Sequence, residues 1–257
     1  MLHLNYNENG FPTAKLSFRK KGFLDHLQMR ACAISVLSLL AAERPEVETF
    51  IANIYADAYD AAIKVQYGSL MSVRDDAGRI VAALGFRSAG HGPLFLEQYL
   101  SAPIDVILGV PRHQIVEIGN LASSGGGASS FLFAALSAYL HHNGFKQAVV
   151  TGTDSLEKRL RKMGLKPVRH AKADPARLVH RQNAQNSLPS LGCASAAKST
   201  DTNPEPDFEW GRYYDTCPHV LSGSVAFGYR RLQTMLGAEY THMRPRLYPH
   251  LQHNGEI

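Results

Sequence analysis

One stretch constrains this fold more than any other: residues 114–122 (QIVEIGNLA), then Ser123-Ser124-Gly125-Gly126-Gly127, then an apolar run over 129–142. The first piece is rich in β-branched residues and reads as a strand. Three consecutive glycines accept positive φ and allow an abrupt turn. The run that follows is almost wholly apolar, so its helix is expected to be buried on most sides. Asn143-Gly144 stops that helix, because both residues tolerate the left-handed conformation. Residues 147–151 then read as a short buried strand. Strand, glycine turn, buried helix and strand in succession set the class as α/β, a mixed central sheet flanked by helices.

The flanking segments extend the same pattern. Pro45 suits the first turn of a helix. After it Val47, Phe50, Ile51, Ile54, Tyr55, Ala58 and Ala62 recur at three- and four-residue steps, one apolar helical face. Residues 65–73 and 79–86 read as strands joined by Asp75-Asp76-Ala77-Gly78, an antiparallel hairpin. Residues 88–110 carry Gly90, Gly92, Pro93, Pro103 and Gly109 and are expected to form loops and short pieces. Residues 154–163 read as a helix with Asp154 as cap and Glu157 at capping-box spacing. Leu156, Leu160 and Met163 face inward and Gly164 ends it. Residues 166–170 are expected to form the final strand.

A hydrophobic fraction of 45% in 257 residues fills a core. The expected organisation is an N-terminal arm and apolar segment (1–44), a core (45–181), a linker (182–207) and a C-terminal aromatic segment packing on the core (208–257). The linker is small, polar and Pro-containing, too poor in apolar surface to offset its ordering entropy. Residues 31–42 (ACAISVLSLLAA) are too short to span a bilayer. They are expected to be buried or to face lipid as an amphipathic element, so peripheral membrane contact is one possible partner mode. Cys32, Cys193 and Cys217 are far apart and odd in number, which argues against disulfides and a zinc site and for a reducing cytoplasm. No metal ligand set is expected; His141 and His142, being adjacent on a helix, point in different directions.

The chemistry centres on residues 117–130. Alternation places Glu117 on the face opposite Val116 and Ile118. A carboxylate among apolar neighbours tends toward a raised pKa and suits a general base taking a proton from an attacking amine. An exposed strand carboxylate, or one paired with a buried arginine, is the alternative. Asn120 suits substrate holding or polarisation of a thioester carbonyl; a turn-capping amide is its alternative. At Ala122, Ser123, Ser124, Gly125, Gly126, Gly127, Ala128, Ser129 and Ser130 the free N–H groups of a helix start meet a backbone that a phosphate can approach closely. A coenzyme A pyrophosphate, or the phosphopantetheine arm of a carrier protein, fits there as co-substrate, with no permanently bound cofactor. Trp210, Tyr213 and Tyr214 are expected either to line an acyl tunnel or cover the amine, or simply to pack on the sheet.

The net charge is +5 and the sequence pI about 9.1, which suits an acidic partner. Lys158, Arg159, Arg161 and Lys162 share the outer side of one helix, either as a docking face or as a solvated one. Nucleic acid is not expected, since no aromatic residues interleave with these charges.

The order helix, hairpin, strand, glycine turn, helix, strand, helix, strand is similar to the core of the GNAT acyltransferases. Their phosphate turn reads Q/R-x-x-G-x-G/A; Gly125 and Gly127 fit its spacing and Ala122 stands at its Q/R position. IVEIGNLAS resembles the strand of acyl-homoserine-lactone synthases that reads roughly E-[IL]-S-R-F-A. Glu117 falls on that glutamate, while Gly119 and Asn120 stand where those enzymes carry Ser and Arg. Residues 45–225 resemble the thermostable hemolysin family through RPEVETFIANIYADAYDA, VEIGNLASSGGGASSFLFAALSAYLHHNGF and WGRYYDTCPHVLSG. The resemblance implies transfer of a fatty acyl group from acyl-CoA or acyl carrier protein to a small amine-bearing acceptor. It also implies that the basic helix docks an acidic carrier protein. A membrane-lytic protein and a non-catalytic acyl binder are the rival expectations.

Overall fold

The computed structural model describes residues 2–19, 31–178 and 209–243. The predicted linker, 182–207, lies outside the described residues. The described residues build one ten-stranded mixed sheet, ordered β10-β2-β1-β3-β4-β5-β6-β7-β9-β8. Its strands are β1 (Leu2–Glu8), β2 (Phe11–Phe18), β3 (Ala31–Leu37), β4 (Ser69–Asp75), β5 (Ile80–Ser88), β6 (Ile115–Ser123), β7 (Gln147–Gly152), β8 (Val168–Lys172), β9 (His219–Ser224) and β10 (Ala238–His242). β1 with β3 and β6 with β7 are parallel; all other neighbours are antiparallel.

Helices cover both faces. On one side lies α1 (Arg44–Tyr59), which carries Pro45 in its first turn and ends at Asp60 in a left-handed conformation. Its Val47, Ile51 and Tyr55 pack on Leu70, Ala83 and Ala122 of the sheet. A short helix, α2 (Ile104–Leu108), and two 3₁₀ turns occupy the expected loop region 88–110. The other face carries α3 (Ala128–His142), whose Phe131, Leu132 and Ala135 meet Leu4, Leu16, Ile34 and Met71. Beside α3 lies α5 (Val225–Leu236), with Leu232 and Leu236 inward. α4 (Asp154–Lys162) follows β7. Its cap is Thr153, whose hydroxyl accepts from the Leu156 amide at 3.2 Å, and not the predicted Asp154. A threonine hydroxyl one residue earlier serves the same orphan donor. That leaves Glu157 to a buried ion cluster instead of a capping box.

Two expectations need correction, and one open alternative is resolved. The arm expected at the N-terminus is a hairpin within the sheet: Leu4, Tyr6, Ala14, Leu16 and Phe18 are buried and their neighbours alternate outward. Of the two alternatives for the apolar segment 31–42, burial holds for its strand portion. Its first seven residues form β3, buried between β1 and β4, and only the turn after it exposes apolar side chains. Strand β8 is not the last. The chain returns after the predicted linker to insert β9 between β7 and β8, then adds α5 and β10.

Candidate functional site

The site grows from a parting of two parallel strands. β6 and β7 pair from Ile115–Gln147 to Ile118–Val150 and no further. Beyond that point Thr151 and Gly152 pair only with β9, and Gly119 to Ser123 only with β5. A crevice opens between two edges whose peptide groups no longer serve each other. At its apex β6 bulges. Gly119 faces Gly85 and Ala122 faces Ala83, so Asn120 and Leu121 together oppose Leu84. Asn120 takes φ +49° to do so, a conformation asparagine tolerates better than most residues. Bulges of this kind re-aim a side chain and free backbone groups.

On the α1 face the apex opens into a cavity of about 660 Å³, mouth included. Asn120 lines it together with Gly119, Thr151, Tyr67, Arg87 and Lys64. Tyr67 lies flat across two glycines. A β-carbon on Gly85 would come within 2.5 Å of the Tyr67 ring, and one on Gly119 would overlap the Tyr67 hydroxyl. The guanidinium of Arg87 sits 5.6 Å from the centre of the same ring. Burial raises the Tyr67 hydroxyl well above the usual tyrosine pKa, reinforced by Glu117 and opposed by Arg87. The opposite wall is the predicted aromatic group: Trp210, Tyr213 and Tyr214 all line this cavity. The Trp210 ring is 5.5 Å from Tyr213 and 5.8 Å from Phe95. The hydroxyls of Tyr99 and Tyr214 share a 2.6 Å hydrogen bond, and burial raises both pKa values. Thr151 Oγ1 is buried without a hydrogen-bond partner among the described residues.

Glu117 sits behind this cavity and not in its wall. It is 1% exposed. One oxygen accepts from Arg87 Nε at 2.6 Å and from the Phe95 amide at 3.1 Å; the other accepts from the Leu96 amide at 2.9 Å. Burial pushes its pKa up, while Arg87 and the two amides pull it down; the net direction is upward. The expected base requires an oxygen facing the crevice, and both oxygens are committed elsewhere. The carboxylate fixes Arg87 and the start of the Phe95–Tyr99 turn.

Through the crevice, on the α3 face, lies a second cavity of about 890 Å³ including its mouth. Leu121, Phe133, Leu136, Val150, Leu156 and Leu160 are among its walls, and Ile118 belongs to both cavities. Alternation along β6, shifted by one residue at the bulge, explains the division: Ile118 and Leu121 turn toward α3, Gly119 and Asn120 toward α1.

The glycine turn lies past the open end of the crevice. Gly125, Gly126 and Gly127 all have positive φ, and α3 starts at Ala128. Ser124 is tied to the Val81 carbonyl through both its amide and its hydroxyl. Ser129 is fully buried and its hydroxyl has no partner among the described residues. Ala122 faces α1 in the core, and none of residues 123–130 lines either cavity. Lys158, Arg159, Arg161 and Lys162 are exposed on α4. The Arg161 guanidinium is taken by Glu157 and the Pro167 carbonyl, while Lys158, Arg159 and Lys162 have no ion-pair partner among the described residues.

Sequence reasoning missed Lys64, Tyr67, Arg87, Phe95 and Tyr99. Residues 65–67 read as part of a strand, and 88–110 read as loop. The signal for Arg87 is its pairing across from Glu117 on β5 and β6, an opposite-charge cross-strand pair.

No curated protein matches the sequence. Solved structures of similar fold include the acyl-homoserine-lactone synthase BjaI, described as CoA-dependent and holding SAM and isopentyl-CoA. It is 12% identical, with 79% of this chain and 89% of BjaI covered and a TM-score of 0.49. FeeM, an N-acyl amino acid synthase from uncultured soil microbes, is 12% identical over 77% of this chain and 94% of its own, TM-score 0.47. A putative N-acetyltransferase from Lactobacillus plantarum is 9% identical over 75% and 99%, TM-score 0.40. Residues 39–187, more than half of the chain, match the thermostable hemolysin family, and the chain belongs to it.

Proposed function

We propose that this chain is an acyltransferase that moves a fatty acyl group from a pantetheine thioester to a small amine. The observation that carries the reading is the parted β6–β7 pair with a bulge at its apex and a cavity on either face. An extended pantetheine arm satisfies the unpaired strand edges as an added strand does. Its thioester then reaches the bulge, where a backbone amide or the Asn120 side chain polarises the carbonyl as charge develops on oxygen. The acyl chain passes Ile118 into the apolar cavity under α3. The amine comes from the aromatic cavity under α1. Glu117 acts as a positioning residue, holding Arg87 at that cavity's rim. The donor's phosphates lie toward Ser123–Ser130, where the helix start favours an anion. The donor is acyl-CoA or an acyl carrier protein; the exposed Lys158, Arg159 and Lys162 suit the acidic carrier.

The test is thiol release by purified protein from decanoyl-CoA and decanoyl carrier protein over a panel of amines. Amine-dependent release with formation of the matching amide supports the reading. Its absence with every donor and acceptor, from folded protein, rejects it.

A second reading, contact with a lipid surface, rests on a separate observation. Phe11, Leu39 and Leu40 are 74%, 67% and 96% exposed. Leu39 and Leu40 lie on the turn after β3 and Phe11 beside the Asn9-Gly10 turn, and the two turns are joined by hydrogen bonds from the Asn9 amide to the Val36 carbonyl and from the Ser38 amide to the Asn9 side chain. Apolar side chains at turn tips suit shallow insertion at a bilayer interface. Co-sedimentation with phosphatidylcholine vesicles, lost when all three become serine, supports this; unchanged sedimentation removes it. No helix among the described residues is long and apolar enough to cross a membrane.

A further inference from the structure

The acceptor cavity has a sign. Among its lining residues are two cations, Lys64 and Arg87, and no carboxylate. The one acidic group close by, Glu117, is buried behind the wall and holds Arg87 through Nε alone. The two terminal nitrogens of Arg87 make no hydrogen bond among the described residues, and Lys64 is exposed with no ion-pair partner among them. The remaining wall is largely aromatic: Tyr55, Tyr67, Phe95, Tyr99, Trp210 and Tyr213. A free guanidinium edge is the standard receptor for a carboxylate, which it grips through two N–H donors.

Position matters as much as charge. Arg87 pairs with Glu117, and Gly85 with Gly119 beside the bulge. Two residues along a strand separate the guanidinium's origin from the apex, about 7 Å. An amine and a carboxylate on one carbon bridge that span, with the carboxylate on Arg87 and the nitrogen toward the bulge.

We infer that the acceptor is an α-amino acid with an apolar or aromatic side chain, bound through its carboxylate by Arg87 and Lys64. This rests on the acyl-transfer reading and narrows its substrate class. The cavity disfavours acceptors with a second positive charge, since no anion in its wall faces one. The reaction is balanced without a further reactant. The amino nitrogen attacks the thioester carbon, the C–N bond forms and the C–S bond breaks with its electron pair leaving on sulfur. The ammonium form of the amino acid supplies one proton to the thiolate and one to solvent. Products are an N-acyl amino acid, free thiol and a proton.

The same two cations also suit phosphates of the donor, and the experiment separates the two sources. Purified protein is given decanoyl-CoA or decanoyl-N-acetylcysteamine, which has no phosphate, with tyrosine, tyrosinamide, tyramine or S-adenosylmethionine as acceptor. Thiol release is followed and the amide identified by mass spectrometry. Tyrosine is expected to exceed tyrosinamide and tyramine at least tenfold in kcat/KM with both donors. Lys64→Ala is expected to shrink that gap at least threefold through the KM of tyrosine. Arg87→Lys, which keeps a charge beside Glu117 and loses the fork, is expected to do the same. Equal use of tyrosine and tyramine, or preference for S-adenosylmethionine, overturns the inference. So does a Lys64→Ala effect confined to the KM of decanoyl-CoA, which assigns the cations to donor phosphates. Absence of amine-dependent thiol release with every donor and acceptor, from folded protein, rejects the acyl-transfer reading itself; amine-dependent release without carboxylate preference rejects the inference alone.

Discussion

Replacing Gly119 with alanine tests the apex of the crevice. The glycine does not have the positive φ that would strain an alanine backbone, so the change acts through one neighbour. The new methyl would overlap the Tyr67 hydroxyl and crowd its ring. Tyr67 cannot settle back, because Gly85 beneath the same ring leaves no slack and Arg44 fixes the Tyr67 carbonyl at 2.5 Å. The ring must swing into the acceptor cavity. Overpacking of this kind costs about 1–3 kcal/mol. For a chain of this size each kcal/mol lowers Tm by about 2–4 °C. Misplacement at a reacting centre costs up to about a hundredfold in rate. Gly119→Ala should therefore lower Tm by several degrees and amine-dependent thiol release by one to two orders of magnitude. The double variant Gly119→Ala/Tyr67→Ala should recover most of the Tm loss, since the overlapping partner is gone; the coupling term of the cycle isolates the contact. Calorimetry and initial rates on the four proteins suffice. A single variant with wild-type Tm and activity, or a double variant no more stable than the sum of its parts, would refute the packing of Tyr67 across the bulge.

Glu117→Gln should lower kcat/KM about tenfold by loosening Arg87 while leaving the pH–rate profile unchanged in shape. A fall of about a thousandfold with one limb of the profile lost would make the carboxylate the base. The Arg112 guanidinium, with the Leu94 and Ile104 amides, outweighs burial and holds Glu97 down to about 2 from its ordinary 4.5. A depressed carboxyl contributes stability above its unfolded pKa and loses it as pH falls toward the folded one. Urea midpoints of wild type and Glu97→Gln should thus differ most above pH 5 and converge between about 4.5 and 2; a constant difference would contradict this. Reversing Lys158, Arg159 and Lys162 to glutamate should raise the KM for decanoyl carrier protein at least tenfold and leave that for decanoyl-CoA within a factor of two; equal effects on both donors would remove the carrier-docking role of α4.

What the sequence revealed depended on how local each signal was. β6, the glycine turn and α3 are consecutive, and each carries its own period or punctuation, so 114–142 was legible almost to the residue. The β1–β2 hairpin carried comparable signals: Leu4 and Tyr6 alternate with Asn5 and Asn7, and Asn9-Gly10 is a favoured turn. Polar strand faces at Asn5, Asn7 and Lys15 disguised it as an arm. The insertion of β9 between β7 and β8 is set across the predicted linker by long-range pairing, which no local pattern encodes. The site follows the same division. Asn120 and the aromatic group at 210–214 were legible as residues. That they meet in one cavity depends on the fold-back of the C-terminal segment, and the pairing of Arg87 with Glu117 depends on a β5–β6 register shifted by the bulge.

Trp210 is the sole tryptophan of the chain and lies in the wall of the acceptor cavity, which opens at the bulge where the thioester is expected to arrive. Its fluorescence, titrated with a thioether analogue of decanoyl-CoA that cannot react, reports directly on occupancy of the β6–β7 crevice. The expected result is a saturable change that weakens at least tenfold when Leu121, in the apolar cavity, becomes aspartate. An emission spectrum indifferent to the analogue, or one that saturates equally well in Leu121→Asp, would mean that no acyl donor threads between these strands.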